Sequence, residues 1–362
     1  MANDILEVRL APAVFMAGLA TTQRMHKRTK TTLFIVFLVL AILAAAIYLR
    51  KKAPPEAARL LPESDGIVYL NLRPLRSATH FDQRPIARDP EYQHFIDATG
   101  FVFERDLDEA AFALHQMPNT AGPNGLVAFS EVFVGRFDGK KLARYFESQA
   151  RTRETYSGHE VYEIPSEGRT VRVTQLGYDL VAVSNAPTAE QIHSICDRYR
   201  AAALPFAGST LLSQHYGEVP LLSIAWGIGK IGLPLGENGS LKILGMKIPL
   251  PEDTTFIASL RWAGALRLRV EEIAPTDLTA TTSAEGLETM LSLFRTIENN
   301  LGDKTGNPEI RSVLNSMKVD HHRNRAVVTV TLPDSLLQQI IAAPENLTPV
   351  RAQPGQSAPA AK

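Results

Sequence analysis

From Thr31 to Leu49 the chain reads TTLFIVFLVLAILAAAIYL, 19 residues without a charge. At a rise of ~1.5 Å per residue this run spans about 28 Å, close to the ~30 Å hydrocarbon core of a bilayer. Twelve of its residues are Leu, Ile, Val or Phe. Together they favour insertion by roughly 4 to 7 kcal/mol as an upper bound. No polar face interrupts the run and basic clusters bracket it. The pattern therefore predicts a transmembrane helix over 31–49 rather than a core helix. A cleaved signal peptide is the rival, with Ala44-Ala45-Ala46 as its small-residue site. Arg50-Lys51-Lys52 directly beyond the cut would hinder export, which favours an uncleaved anchor. Met25 opens a short basic stretch joined to the apolar run, so it is a second candidate start.

Residues 1–30 form a basic N-terminal segment, and residues 50–60, with Pro54-Pro55, form a polar stalk. Beyond the stalk the periodicity changes to strands and amphipathic helices. Asp65 to Leu72 reads as a turn and a strand, and Leu126 to Phe137 as one long strand or two short ones. Asp138 is a good N-cap for a helix with Leu142, Tyr145 and Phe146 on one face. Val161 to Ile164 is a strand closed by Pro165, and Val171 to Val183 a hairpin. Thr188-x-x-Gln191 reads as a capping box ahead of Ile192, Ile195, Cys196 and Tyr199.

A similar grammar follows later. Thr255 to Ile273 is a hairpin turning at Ala263-Gly264. On its second arm Leu266, Leu268 and Val270 alternate with Arg267, Arg269 and Glu271, one face buried and the other wet. Thr282-x-x-Glu285 reads as the cap of a helix turning Leu287, Met290, Leu291, Phe294, Ile297 and Leu301 inward. A strand over 326–332 and a helix over 335–341 follow. The pattern predicts an α+β body of antiparallel sheets with helices on one side. It divides into two related halves, 61–205 and 206–344, before a disordered Pro/Ala/Gln-rich tail over 345–362.

The formal net charge of zero hides a split. Residues 1–52 carry eight basic and two acidic side chains, a net of +6, which leaves −6 on the remainder. An acidic body lacks the positive field that nucleic acid requires. Lys and Arg nearly balance across the apolar run. Long domains translocate whatever their charge, so the N-terminus is expected inside and the body in the periplasm, as a single-pass inner-membrane protein. One cysteine excludes an intramolecular disulfide and any multi-cysteine metal site.

Few constellations suggest chemistry. Gly227-Ile228-Gly229-Lys230-Ile231-Gly232 fits G-x-G-x-x-G, but Pro234, Gly236 and Gly239 break the helix that a dinucleotide site needs. A Gly-rich surface loop is expected instead. Asp320-His321-His322 precedes Arg323-Asn324-Arg325 and reads as a solvated turn. His159-Glu160 and Glu271-Glu272 each put neighbours on opposite faces of a strand. Cys196, with His193 and Arg200 nearby on its helix, reads as a small buried hydrophobe. Leu221 to Leu250 is apolar and Gly-rich, either a strand plus packed loop or an exposed lip for a lipidic partner.

Leu61-Pro62-Glu63-Ser64-Asp65 before Val68-Tyr69-Leu70-Asn71-Leu72 resembles the opening of bacterial membrane-anchored envelope proteins of unknown function. Gly135-Arg136-Phe137-Asp138 and Tyr156-x-Gly158-x-x-Val161-Tyr162-x-Ile164-Pro165 are similar to later landmarks of that group. The resemblance implies a tethered domain without an assigned reaction, and it carries over no catalytic residue. The leading expectation is a non-enzymatic binding module of the envelope. Its partners would be the bilayer, through residues 31–49, and an envelope protein or lipid; no nucleic acid, nucleotide, cofactor or metal is expected. One alternative is a tethered hydrolase using some of His80, Asp82, His115, His159, Glu160, Asp320 and His321. The other is a carrier of lipid or lipoprotein cargo.

Overall fold

The computed structural model describes residues 35–41, 43, 53–83, 88–201, 208–230, 240–243, 246–249, 254–262, 265–305 and 308–333. The chain divides into two units, Met1–Lys51 and Lys52–Lys362. In the first, residues 35–41 and 43 are helical with exposed apolar side chains. The rest of the expected span over 31–49 lies outside the described residues. Among the described residues no helix is long and apolar enough to cross a membrane. The turn at Ala263-Gly264, the helix expected over 335–341 and the tail over 345–362 also lie outside them.

The second unit is α+β. Twelve of its strands form one antiparallel sheet in the order β13-β14-β12-β11-β8-β1-β2-β3-β7-β6-β5-β4. Residues 61–205 supply β1 (Gly66–Asn71), β2 (Leu107–Gln116), β3 (Val127–Gly135), β4 (Thr152–Tyr156), β5 (His159–Ser166), β6 (Arg169–Gln175) and β7 (Leu180–Ser184). Residues 206–344 supply β8 (Ser223–Lys230), β11 (Thr255–Trp262), β12 (Leu266–Ile273), β13 (Lys318–His322) and β14 (Arg325–Leu332). A separate hairpin pairs β9 (Ser240–Ile243) with β10 (Met246–Pro249). The two segments thus share a single sheet, joined where β1 pairs antiparallel with β8. Each opens with a three-strand meander, β1-β2-β3 or β8-β11-β12. Each later returns a hairpin whose last strand, β7 or β14, pairs with the third strand of its meander.

Helices pack on both faces, not on one. On the back face α1 (Glu56–Leu60), α6 (Glu190–Arg200) and α7 (Thr210–His215) bring Leu60, Ile192, Ile195 and Leu212 onto Ile67, Val132 and Ile228. On the front face α3 (Pro90–Thr99) and α5 (Gly139–Gln149) bring Phe95, Leu142 and Phe146 onto Tyr162, Val173 and Val181. The long helix α8 (Asp277–Thr305) and α9 (Pro308–Ser316) pack against β13 and β14. Two further helices, α2 (Leu72–Thr79) and α4 (Phe103–Asp106), flank the aromatic group Phe95, Phe101, Phe112, Phe133 and Phe137.

The caps divide into those the sequence reveals and those it does not. Asp138 accepts from Lys141 N at 3.1 Å and opens α5 as expected. Thr188 does not cap α6, whose N-cap is Ala189 without a side-chain bond. Thr282 lies inside α8, its hydroxyl donating back to Leu278 O at 2.9 Å, while Thr276 accepts from Thr279 N at the true start. In α8 Ile297 faces solvent and Glu298 is buried, reversing the expected inward position. Pro165 lies within β5 rather than ending it, and Leu126 to Phe137 holds a single strand, β3.

Candidate binding face

Because side chains alternate across a sheet, register pairs trace rows along one face. One row crosses all twelve strands on the front face: Val319, Val328, Val270, Ala258, Gly227, Val68, Phe112, Glu131, Val183, Val173, Tyr162 and Arg153. Between the edge strands its one charged member is Glu131. The corresponding back-face row holds Ile257, Ile228, Ile67 and Ala113 at the centre of the sheet, all at 2 % exposure or less. The front centre is more open. Val68 is 38 % exposed, and Phe112, Gly227, Ala258 and Val270 are half-buried.

Gly227 and Gly229 explain part of this opening. Expected in a surface loop, both instead sit in β8, paired with β1 on one side and β11 on the other. Their alternation with Trp226 and Ile228 puts full side chains on the back face and none on the front. A Cβ at Gly227 would meet only Ile67 O at 3.5 Å and Val68 Cγ2 at 3.7 Å, ordinary contacts, so there is room above the strand. Residues 231–239, including Gly232, Pro234, Gly236 and Gly239, lie outside the described residues.

Glu131 lies three strands from Gly227, about 14 Å at ~4.8 Å per strand. Its row neighbours are Phe112 and Val183, and Leu114, Phe129, Phe133 and Val181 flank these on the same face. No hydrogen bond or ion pair is formed to its carboxyl by the described residues. Burial in this apolar surround pushes the carboxyl above the usual range. Its one signal in the chain is an acid standing alone among the mostly apolar residues from Val127 to Val134, which periodicity by itself does not single out.

Several polar residues of the back face are occupied with one another. His115 Nε2 lies 2.9 Å from Ser130 Oγ, which lies 3.2 Å from Ser184 Oγ. Next along this row come Arg172, Glu163 and Thr152. Arg172 Nε donates to Glu163 Oε1 at 2.9 Å, and Thr152 Oγ1 donates to Glu163 Oε2 at 2.6 Å. The Thr152 bond, with Arg172 beside it, holds Glu163 below the usual carboxylate range against the opposing effect of burial. Burial pushes His115 down. At the other end Arg325 reaches Glu218 at 2.9 Å and Glu271 at 2.6 Å, and Arg269 reaches Glu271 at 2.7 Å. Glu271, expected on a wet face, is therefore 3 % exposed, paired with arginines. Glu272 is also buried, on the front face, where Ser283 Oγ donates to it at 3.0 Å.

The other sequence candidates remain dispersed. His80 ends α2 in a left-handed conformation, and Asp82 sits in the turn that follows. His159 meets Gln175 O at 3.2 Å, and Glu160 accepts from Thr155 at 2.6 Å. Asp320, His321 and His322 are exposed on the edge strand β13, ahead of a turn at Arg323 and Asn324. Cys196 is fully buried, its thiol pushed up to about 11 chiefly by burial. His193 stacks on Tyr156 and lies 2.7 Å from Glu154. It lines an open cleft with Tyr156, Glu190 and Asp197, while a second cleft lies between α3 and α5, lined by His94, Lys141, Arg144 and Tyr145. Neither cleft includes any of the seven residues weighed for a hydrolase. Among the described residues no three of His, Cys, Asp and Glu form a metal-holding group.

No family model matches the chain, and no curated protein matches it. Solved structures of the Treponema protein TP0453 are distantly similar. Crystal form III gives a TM-score of 0.45 at 10% identity, covering 80% of this chain and 99% of that one. Crystal form I gives 0.42 at 11% identity, covering 80% and 98%.

Proposed function

We propose that this chain is a membrane-tethered, non-enzymatic binding module of the cell envelope, with residues 31–49 as the tether and the body on the periplasmic side. The observation that carries the binding role is the half-open apolar strip at the centre of the front face, from Val270 to Phe112, opposite a back face packed at the same strands. Apolar positions left part-open at the centre of a folded sheet offer a partner a contact surface. The polar groups, by contrast, are tied into structural pairs (His115 with Ser130, Glu163 with Arg172, Glu271 with Arg325), which gives a hydrolase little to work with. Apolar character, rather than positive charge, favours an envelope protein or lipid as partner.

The tether is tested by fractionating cells that express the full chain and a variant lacking 31–49. Full-length material is expected in the membrane fraction, released by detergent and not by salt, and the shortened chain in the soluble fraction. A periplasm-active reporter fused at the C-terminus is expected to be active. Full-length material in the soluble pool, or a reporter active only in the cytoplasm, overturns the reading.

A further inference from the structure

The front-face row holds an acid that contributes nothing visible to the fold. The other buried or half-buried carboxylates of the sheet strands described above have partners: Glu163 has Arg172, Glu271 has Arg325 and Glu272 has Ser283. Glu131 has none among the described residues, and the front-face positions around it include Phe112, Leu114, Phe129, Phe133, Val181 and Val183. An uncompensated acid in such a surround costs stability, so a cation or hydrogen-bond donor that reaches it gains affinity. From this acid the strip runs past Phe112 and Val68 to the bare backbone at Gly227, about 14 Å across three strand spacings. The resulting shape is one anionic end and one elongated apolar floor.

Resting on the binding role proposed above, we infer that the strip from Glu131 to Gly227 holds a single-chain amphiphile bearing a protonated amine. The amine pairs with the Glu131 carboxylate, and the alkyl chain lies across Phe112 and Val68 towards Gly227. An amphiphile ending in a carboxylate would set like charges against each other there, so the site discriminates by head group. No bond is made or broken.

The test uses the full chain in lipid nanodiscs and an apolar carbodiimide, which modifies carboxyl groups in apolar surroundings. Peptide mass spectrometry reads the modification site by site. Glu131 is expected to be modified ahead of the exposed carboxylates, and dodecylamine to suppress this at least tenfold more effectively than dodecanoate at the same concentration. Gly227→Val fills the strip where a Cβ meets no atom closer than 3.5 Å. It is expected to keep the fold, to keep the modification of Glu131, and to lose protection by dodecylamine. An unmodified Glu131, equal protection by the two amphiphiles, or protection unchanged in Gly227→Val each overturns the inference. None of these outcomes touches the tether, which the fractionation tests separately, so failure of one reading is distinct from failure of the other.

Discussion

Glu131 and His115 sit on opposite faces of neighbouring strands, and their protons are linked to stability with opposite signs. Burial raises the Glu131 carboxyl, so the folded chain keeps that proton to higher pH than the unfolded chain. Stability from this group falls as pH rises from the ordinary Glu range through the raised folded value. Burial lowers His115 below its ordinary 6.5. Its contribution is complete above that value and is lost as pH falls through the lower folded one. Glu131→Gln is therefore expected to raise the Tm at neutral pH and to leave it nearly unchanged in acid. His115→Gln is expected to flatten the loss of stability on mild acidification. Thermal melts followed from about pH 4 to pH 8 check both signs. Arg325 presents a different case, since it holds two acids from different elements. Removing it leaves Glu271 at 3 % exposure with Arg269 alone. Arg325→Ala is expected to cost about 2 kcal/mol in urea unfolding, below the usual ~3–5 for a broken buried pair because one arginine remains. A cost under about 0.5 kcal/mol would show the cluster to be ornamental.

Among the elements, helix starts separate local from non-local information. Asp138 was legible because its cap bond closes within three residues, to Lys141 N. Thr188 and Thr282 carry the same Thr-x-x-Gln/Glu spacing, yet one precedes an uncapped start and the other lies a turn inside α8. The motif cannot distinguish a cap from a helix interior unless the preceding residues are also scored; here Asp277 to Thr281 already continue the helix. Asp138→Ala is accordingly expected to cost about 1 kcal/mol of stability, and Thr282→Ala to be neutral or slightly stabilising. Equal losses in chemical denaturation would refute the assignment. The strands show the same limit. Alternation on β12 gave Leu266 and Arg267 correctly, but it placed Glu271 in water because the arginine that buries it arrives 54 residues later. Gly227 and Gly229 read as loop because Gly weakens a strand locally. Their two neighbouring strands, which make β8 a central one, come from distant parts of the sequence.

For the molecule as a whole, the α+β class and most element positions were readable from periodicity, which is a short-range property. The assembly was not. A single sheet of twelve strands requires β1 and β8 to find one another, and nothing in either sequence names its partner. The front-face strip was illegible for the same reason, since its members come from β12, β11, β8, β1, β2 and β3 and are adjacent only once the register is set. Glu131 is the one acid in the stretch Val127 to Val134, and its place at the end of a surface follows only from the register.

The order of strands also decides how the domain bears load. Residues 53–65 lead into β1, which lies in the interior of the sheet with β2 on one side and β8 on the other. A tug transmitted from the N-terminal side first meets α1, whose Ala57, Ala58 and Leu60 are at 1 % exposure or less. It then draws β1 lengthwise against six register pairs with β2 and five with β8. Backbone bonds lying across the direction of pull must yield together, whereas a peeled edge strand gives them up one at a time. Because the chain enters the sheet at an interior strand, the domain resists a pull from its N-terminal side more stiffly than it would if that segment led into an edge strand.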